Sequence, residues 1–101
     1  MSQEKLSLKG LNFQATKIEE NKNILTITLN RPEKKNALNN VMVNEICYAL
    51  AYAKQERSVR VIIIAAEGDI FCAGADLRRE ESESNVPKIE GADDISLMLR
   101  H

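Results

Sequence analysis

The sequence predicts an α/β fold, and three observations carry that reading. Residues 24–29 alternate, with Leu25, Ile27 and Leu29 on one face and Thr26 and Thr28 on the other. Residues 40–57 repeat their apolar positions at helical spacing. Residues 59–66 form a continuous apolar run, as strands covered on both faces of a parallel sheet do. Strand, helix and strand in that order make a crossover unit, which is right-handed in nearly every fold that contains it.

Taken in order, residues 1–12 are polar and are expected to form a flexible N-terminus. Residues 13–18 are expected to form a first short strand. The polar run Glu19-Glu20-Asn21-Lys22-Asn23 then reads as the turn of a hairpin into 24–29. Asn30-Arg31-Pro32 stops that second strand, because proline has no N–H for the ladder and restrains the residue before it. Glu33-Lys34-Lys35-Asn36 is a charged loop. Asn39 or Asn40 suits an N-cap. Val43, Ile46, Cys47, Leu50 and Ala53 define the expected buried stripe of a helix roughly 27 Å long at ~1.5 Å per residue. Ser58 ends it, and 59–66 is the next strand. Glu67-Gly68-Asp69 turns the chain into Phe71-Cys72-Ala73-Gly74-Ala75-Asp76-Leu77.

That last stretch concentrates the functional interest. Small residues at 73, 74 and 75 leave the backbone uncovered, so a ligand can approach the main chain. Arg78-Arg79-Glu80-Glu81 can start a helix, and a helix's first N–H groups are unpaired and partly positive. Such a donor suits a developing oxyanion. Taken alone, Ala-Gly-Ala is more commonly a tight turn with small residues chosen for packing. Beyond it, residues 82–92 are polar, carry Pro87 and Gly91, and are expected to form a mobile loop. Asp93 or Asp94 can cap a last helix with Ile95, Met98 and Leu99 on one face.

Bulk properties bound the function class. With 101 residues the chain is one small domain at most. Its 14 Lys+Arg against 15 Asp+Glu offer no basic excess for nucleic acid. Residues 1–10 hold no apolar segment of a secretory signal, and no apolar run approaches the roughly 20 residues of a membrane span. Cys47 and Cys72 form no metal or redox motif and read as small buried thiols in a reducing compartment. A cytoplasmic location is expected, with an organelle matrix as the alternative.

Two blocks carry a resemblance. One is Leu29-Asn30-Arg31-Pro32-Glu33-Lys34-Lys35-Asn36-Ala37-Leu38-Asn39, continuing to Met42 and Glu45-Ile46. The other is Gly68-Asp69-Ile70-Phe71-Cys72-Ala73-Gly74-Ala75-Asp76-Leu77. Together they resemble the N-terminal part of the enoyl-CoA hydratase/isomerase (crotonase) superfamily, over about residues 13–101. The resemblance implies a spiral of β-β-α units, of which this chain is the N-terminal portion, assembled as trimers or hexamers when full length. It implies an acyl-CoA thioester as substrate, no separate cofactor, and an enolate held by two backbone N–H groups. The first of these maps onto Ala75. The CoA-contacting positions map onto Lys35, Ala37 and Leu38 before the long helix, and onto Ala73, Gly74, Ala75, Asp76, Leu77 and Arg78 after the strand. The second donor and the acid/base glutamates would follow residue 101. Ala66 stands where the family often has glycine.

Several single residues admit two readings. Lys35 meets a CoA phosphate or is one of three loop charges with Glu33 and Lys34. Asp76 caps the helix starting at Leu77 in preference to acting in catalysis. Arg78 and Arg79 face phosphates or solvent. Glu80, Glu81, Glu83 and Glu90 read as solvated charges, and His101 as incidental. Gly68 and Gly74 make no dinucleotide fingerprint, and no metal site is expected. The leading expectation is an enzyme hydrating or isomerising 2-enoyl-CoA. The alternatives are a truncated, non-catalytic CoA- or partner-binding remnant and another crotonase reaction such as thioester hydrolysis or dehalogenation.

Overall fold

The computed structural model describes residues 5–75 and 84–89. Three strands form one sheet in the order β1-β2-β3: β1 (Thr16–Asn21), β2 (Ile24–Leu29) and β3 (Val61–Ala66). β1 and β2 are antiparallel, with Thr16 opposite Leu29 and Asn21 opposite Ile24. β2 and β3 are parallel, with Ile24 beside Val61 and Leu29 beside Ala66. Helix α1 (Asn40–Gln55) makes the crossover between them. A one-turn 3-10 helix, Pro32–Lys34, lies in the connection before it.

The first strand is shifted from its expected place. Glu19, Glu20 and Asn21 belong to β1, and the turn shrinks to Lys22-Asn23, with φ of 50° and 72°. Two consecutive positive φ values give a turn whose twist matches the hairpin, a shape that asparagine tolerates. β1 is polar because its residues beyond Thr16 lie half-buried or exposed. β2 matches its expected limits, and its alternation is the observed one: Leu25, Ile27 and Leu29 are buried.

Asn39 caps α1, its Oδ1 accepting the Met42 N–H at 2.8 Å. The buried stripe is rotated from the expected one. Met42, Ile46 and Ala49 join Ala15, Leu25, Ile27 and Leu29 in the core, with Val43 and Tyr48 also buried. Leu50, expected inside, is 40% exposed, and Cys47 and Ala53 are half-buried. The cause is Glu45, which is fully buried. Its carboxylate accepts the N–H groups of Gln14 (2.7 Å) and Ala15 (2.9 Å) and the Thr16 hydroxyl (2.8 Å). Three donors offset the desolvation of the charge and draw this side of the helix onto the entry to β1.

α1 therefore packs over β1 and β2. Ile62 and Ile64 share a face with the buried Leu25 and Ile27, yet they are 41% and 48% exposed. Val61 and Ile63 on the opposite face are 50% and 44% exposed. Among the described residues the apolar run is left uncovered, because one helix spans only two of the three strands. β3 also starts two residues later than expected, at Val61.

The termini of the described chain close around α1. The Tyr48 hydroxyl donates to the Ser7 carbonyl at 2.9 Å. Of the segment 82–92, residues 84–89 are described. Val86 is buried, Asn44 Nδ2 donates to the Pro87 carbonyl (3.1 Å), and Asn44 Oδ1 accepts the Ile89 N–H (2.7 Å). The expected helices starting at Leu77 and at Asp93 or Asp94 lie outside the described residues.

Candidate functional site

Two loops leave the same end of the sheet. One follows β2 and carries 30–38; the other follows β3 and carries 67–75. Their meeting is built from the first loop's backbone. Lys35 and Asn36 both adopt left-handed backbone, with φ of 55° and 54°. This turns the fully buried Asn36 side chain inward between the loops. Its Oδ1 accepts the Arg31 N–H at 2.8 Å, and its Nδ2 donates to the carbonyls of Glu67 (2.7 Å) and Ile70 (2.8 Å). Arg31 is buried beside it, and its guanidinium donates to the Ala37 carbonyl.

Gly68 fits this join for a spatial reason. Its φ is +86°, and a Cβ there would stand 3.0 Å from Pro32 Cβ. A larger residue would be strained in its backbone and would push the loops apart.

Beyond this clamp the loops run side by side. The Ala73 N–H donates to the Lys35 carbonyl (3.0 Å), and the Leu38 N–H donates to the Gly74 carbonyl (2.8 Å). Leu38 and Ala75 form a parallel bridge. In a parallel ladder alternate residues turn their N–H toward the neighbour. The bond from Leu38 to Gly74 therefore leaves the Ala75 N–H turned away from the Leu38 strand. Among the described residues that N–H has no hydrogen-bond partner, and Ala73, Gly74 and Ala75 are all exposed. Gly74, at φ +111°, carries the chain into this position, and among the described residues nothing lies within 4 Å of where its Cβ would stand.

The structure thus brings together six residues singled out from the sequence. Lys35 is exposed, Ala37 and Leu38 are half-buried, and Ala73, Gly74 and Ala75 line the opposing loop. Asp76, Leu77 and Arg78 lie outside the described residues. Asn36 and Arg31 are the positions sequence reasoning passed over. The available signal was an asparagine after two lysines in a loop, a residue type at home in left-handed backbone.

The arrangement offers a main-chain donor without a partner among the described residues, beside small side chains, which suits a carbonyl or oxyanion acceptor. Among the described residues, no group of three or more His, Cys, Asp or Glu could hold a metal ion, and no helix is long and apolar enough to cross a membrane. Burial pushes the Cys47 thiol up, which disfavours its nucleophilic thiolate.

Comparison with known proteins places the chain among relatives. The family model for enoyl-CoA hydratase/isomerase matches residues 19–95. The chain is 45% identical over 67 residues to the mitochondrial enoyl-CoA hydratase domain-containing protein 2 of Mus musculus, covering 65% of this chain and 23% of that protein. It is 34% identical over 77 residues to a trans-2-decenoyl-[acyl-carrier-protein] isomerase of Streptococcus mutans, covering 76% and 27%. Among solved structures, an enoyl-CoA hydratase/isomerase from Mycobacterium paratuberculosis superposes with a TM-score of 0.63 at 36% identity, covering 71% of this chain and 28% of that one. The chain spans about a quarter of the length of these relatives.

Proposed function

Since the chain belongs to the enoyl-CoA hydratase/isomerase family, we propose that it forms the thioester-binding part of a site that hydrates or isomerises 2-enoyl-CoA. The Ala75 N–H is the donor to the thioester oxygen. One observation carries this reading: among the described residues the Ala75 N–H has no partner, and Ala75 is exposed where the two loops join.

The chemistry asks for such a donor. Addition to a 2-enoyl thioester, or removal of its α-proton, collects negative charge on the carbonyl oxygen. A fixed backbone N–H stabilises that charge without reorganising, and one such donor is worth roughly 10²–10³ in rate. Ala73, Gly74 and Ala75 keep the approach open for a thioester. Lys35, Ala37 and Leu38 border the same opening, with Lys35 as the phosphate partner of CoA. Asp76, Leu77 and Arg78 complete the proposed contact set. The proposal includes no separate cofactor, a cytoplasmic setting, and a trimeric or hexameric longer protein that supplies the second donor and the acid/base groups. Under this proposal the 101 residues alone bind acyl-CoA without turning it over.

The test separates binding from chemistry. Crotonyl-CoA labelled with ¹³C at the thioester carbonyl is titrated into the 101-residue chain. Binding with a downfield carbonyl shift is expected, and Ala75→Pro, which lacks the donor, should abolish the shift. An unshifted carbonyl, or an equal shift in folded Ala75→Pro, overturns the role of Ala75. Turnover of crotonyl-CoA by the isolated chain overturns the division of labour.

A further inference from the structure

We propose that Asn44 is a positioning residue of the acyl-CoA site, acting from α1 through Ile89 and Val43 on Leu38. The inference rests on the reading of the Ala75 N–H as the thioester donor. It starts from a buried polar side chain. Asn44 lies on α1, and an amide buried there is costly unless both its ends are bonded. Its Nδ2 donates to the Pro87 carbonyl at 3.1 Å, and its Oδ1 accepts the Ile89 N–H at 2.7 Å. Two bonds from one amide fix both the place and the direction of residues 87–89 against the helix.

A second asparagine holds the other end of this segment. Asn85 Oδ1 accepts the Asn12 N–H at 2.6 Å, and Asn85 Nδ2 donates to the Gly10 carbonyl at 2.9 Å. Val86, between these anchor points, is buried. Residues 84–89 are thus fastened to the N-terminal arm at one end and to α1 at the other, so Ile89 meets the helix at a fixed place.

What Ile89 meets there is Val43, the neighbour of Asn44 on α1. Val43 is buried, yet it stands apart from the core of Met42, Ile46 and Ala49. Among the described residues the apolar side chains packed against it are Leu38, Cys47 and Ile89, all half-buried. Ile89 therefore helps hold Val43, and Val43 backs Leu38. The Leu38 N–H donates to the Gly74 carbonyl at 2.8 Å, and Leu38 bridges Ala75. A displacement of Leu38 is passed directly to the turn that carries the proposed donor. Misplacing a reacting group by about 1 Å can cost about 10²-fold in rate, so this support bears on chemistry as well as on stability.

Two measurements test this. The first is amide exchange, followed by NMR in the ligand-free 101-residue chain. Asn44→Ala should speed exchange of the Leu38 N–H about five- to tenfold, the worth of one hydrogen bond. The Glu67 N–H, bonded to the Leu29 carbonyl, should stay within about twofold, since the opening is local. Ile89→Ala keeps the Asn44 amide and trims only the packing, so it should loosen Leu38 in the same way without endangering the fold. Ile89→Leu should restore wild-type exchange. A tether with no bearing on the site would leave Leu38 unchanged or loosen both amides equally, and either result overturns the proposal. The second measurement uses crotonyl-CoA labelled with ¹³C at the thioester carbonyl, at saturation. Asn44→Ala and Ile89→Ala should both give a smaller carbonyl shift than wild type; an equal shift overturns the link to the donor. A wild-type chain that binds with no shift removes the reading of Ala75 and this proposal with it. Leu38 exchange, measured without ligand, tells that failure from failure of the support alone.

Discussion

Asn36 is the residue on which the meeting of the two loops turns. It is fully buried and makes three hydrogen bonds to backbone atoms, two of them to the loop after β3. Asn36→Ala would leave the Arg31 N–H and two carbonyls without this partner. Each buried orphan costs about 1–3 kcal/mol, so a loss of about 2–4 kcal/mol is expected in urea unfolding, with weakened acyl-CoA binding. Glu45 poses the same question in the core. Glu45→Gln places an amide against three donors and should cost about 2–3 kcal/mol, read as an earlier urea midpoint. Tyr52 gives a pH signature. Its hydroxyl donates to Glu20, and this bond, then burial and the nearby carboxylates, push its pKa up to about 12 from an ordinary value of 10.0. Because the folded value is raised, the stability this contact adds is present below pH ~10 and lost as pH rises through about 12. Ultraviolet titration should show Tyr52 ionising near 12, and Glu20→Gln should bring it back toward its ordinary value.

At the scale of the element, α1 separates what periodicity can show from what it cannot. Its existence, its Asn39 cap and an end within two residues of the expected one were legible, because capping and 3.6-residue spacing act locally. Its inward face was legible in part: Val43 and Ile46 are buried as expected, whereas Leu50 is exposed. An apolar count cannot know that Glu45 finds three donors 29–31 residues away. A paired test follows. Leu50→Lys should change stability by no more than about 0.5 kcal/mol, whereas Ile46→Ala should cost about 2–4 kcal/mol; thermal melts of both would check it. The reverse order would restore the stripe read from sequence. The hairpin repeats the lesson. β2 was legible from its alternation, but β1 was displaced because its residues past Thr16 are polar and half-exposed and its turn needs only two residues.

The whole molecule is the crotonase fold's N-terminal portion, and that was legible from two sequence blocks and the elements between them. The juxtaposition of Lys35, Ala37 and Leu38 with Ala73, Gly74 and Ala75 followed from the same blocks. The clamp behind it did not, since Asn36 reaches carbonyls 31 and 34 residues away and a carbonyl has no residue type to betray it. At this scale the expectation is a coupling. Acyl-CoA bound at the loop junction should raise the melting temperature of the wild-type chain and do little for Asn36→Ala, a contrast that differential scanning fluorimetry would show.

The parallel pairing of β2 with β3 has a further consequence, in time. Ile24 in β2 sits beside Val61, so the first contact of that ladder closes a loop of nearly the whole hairpin-to-helix span. The β1–β2 hairpin closes over two residues and α1 over single turns, events of roughly microseconds or less. Long-range closure is slower, because its entropy must be surrendered before any contact rewards it. β3 should therefore be the last strand to zip onto the sheet. During synthesis the apolar run Val61-Ile62-Ile63-Ile64 leaves the ribosome after its docking partner has already formed, so its waiting time is set by loop closure. Pulsed hydrogen exchange during refolding should protect the Ile27 amide before that of Ile63.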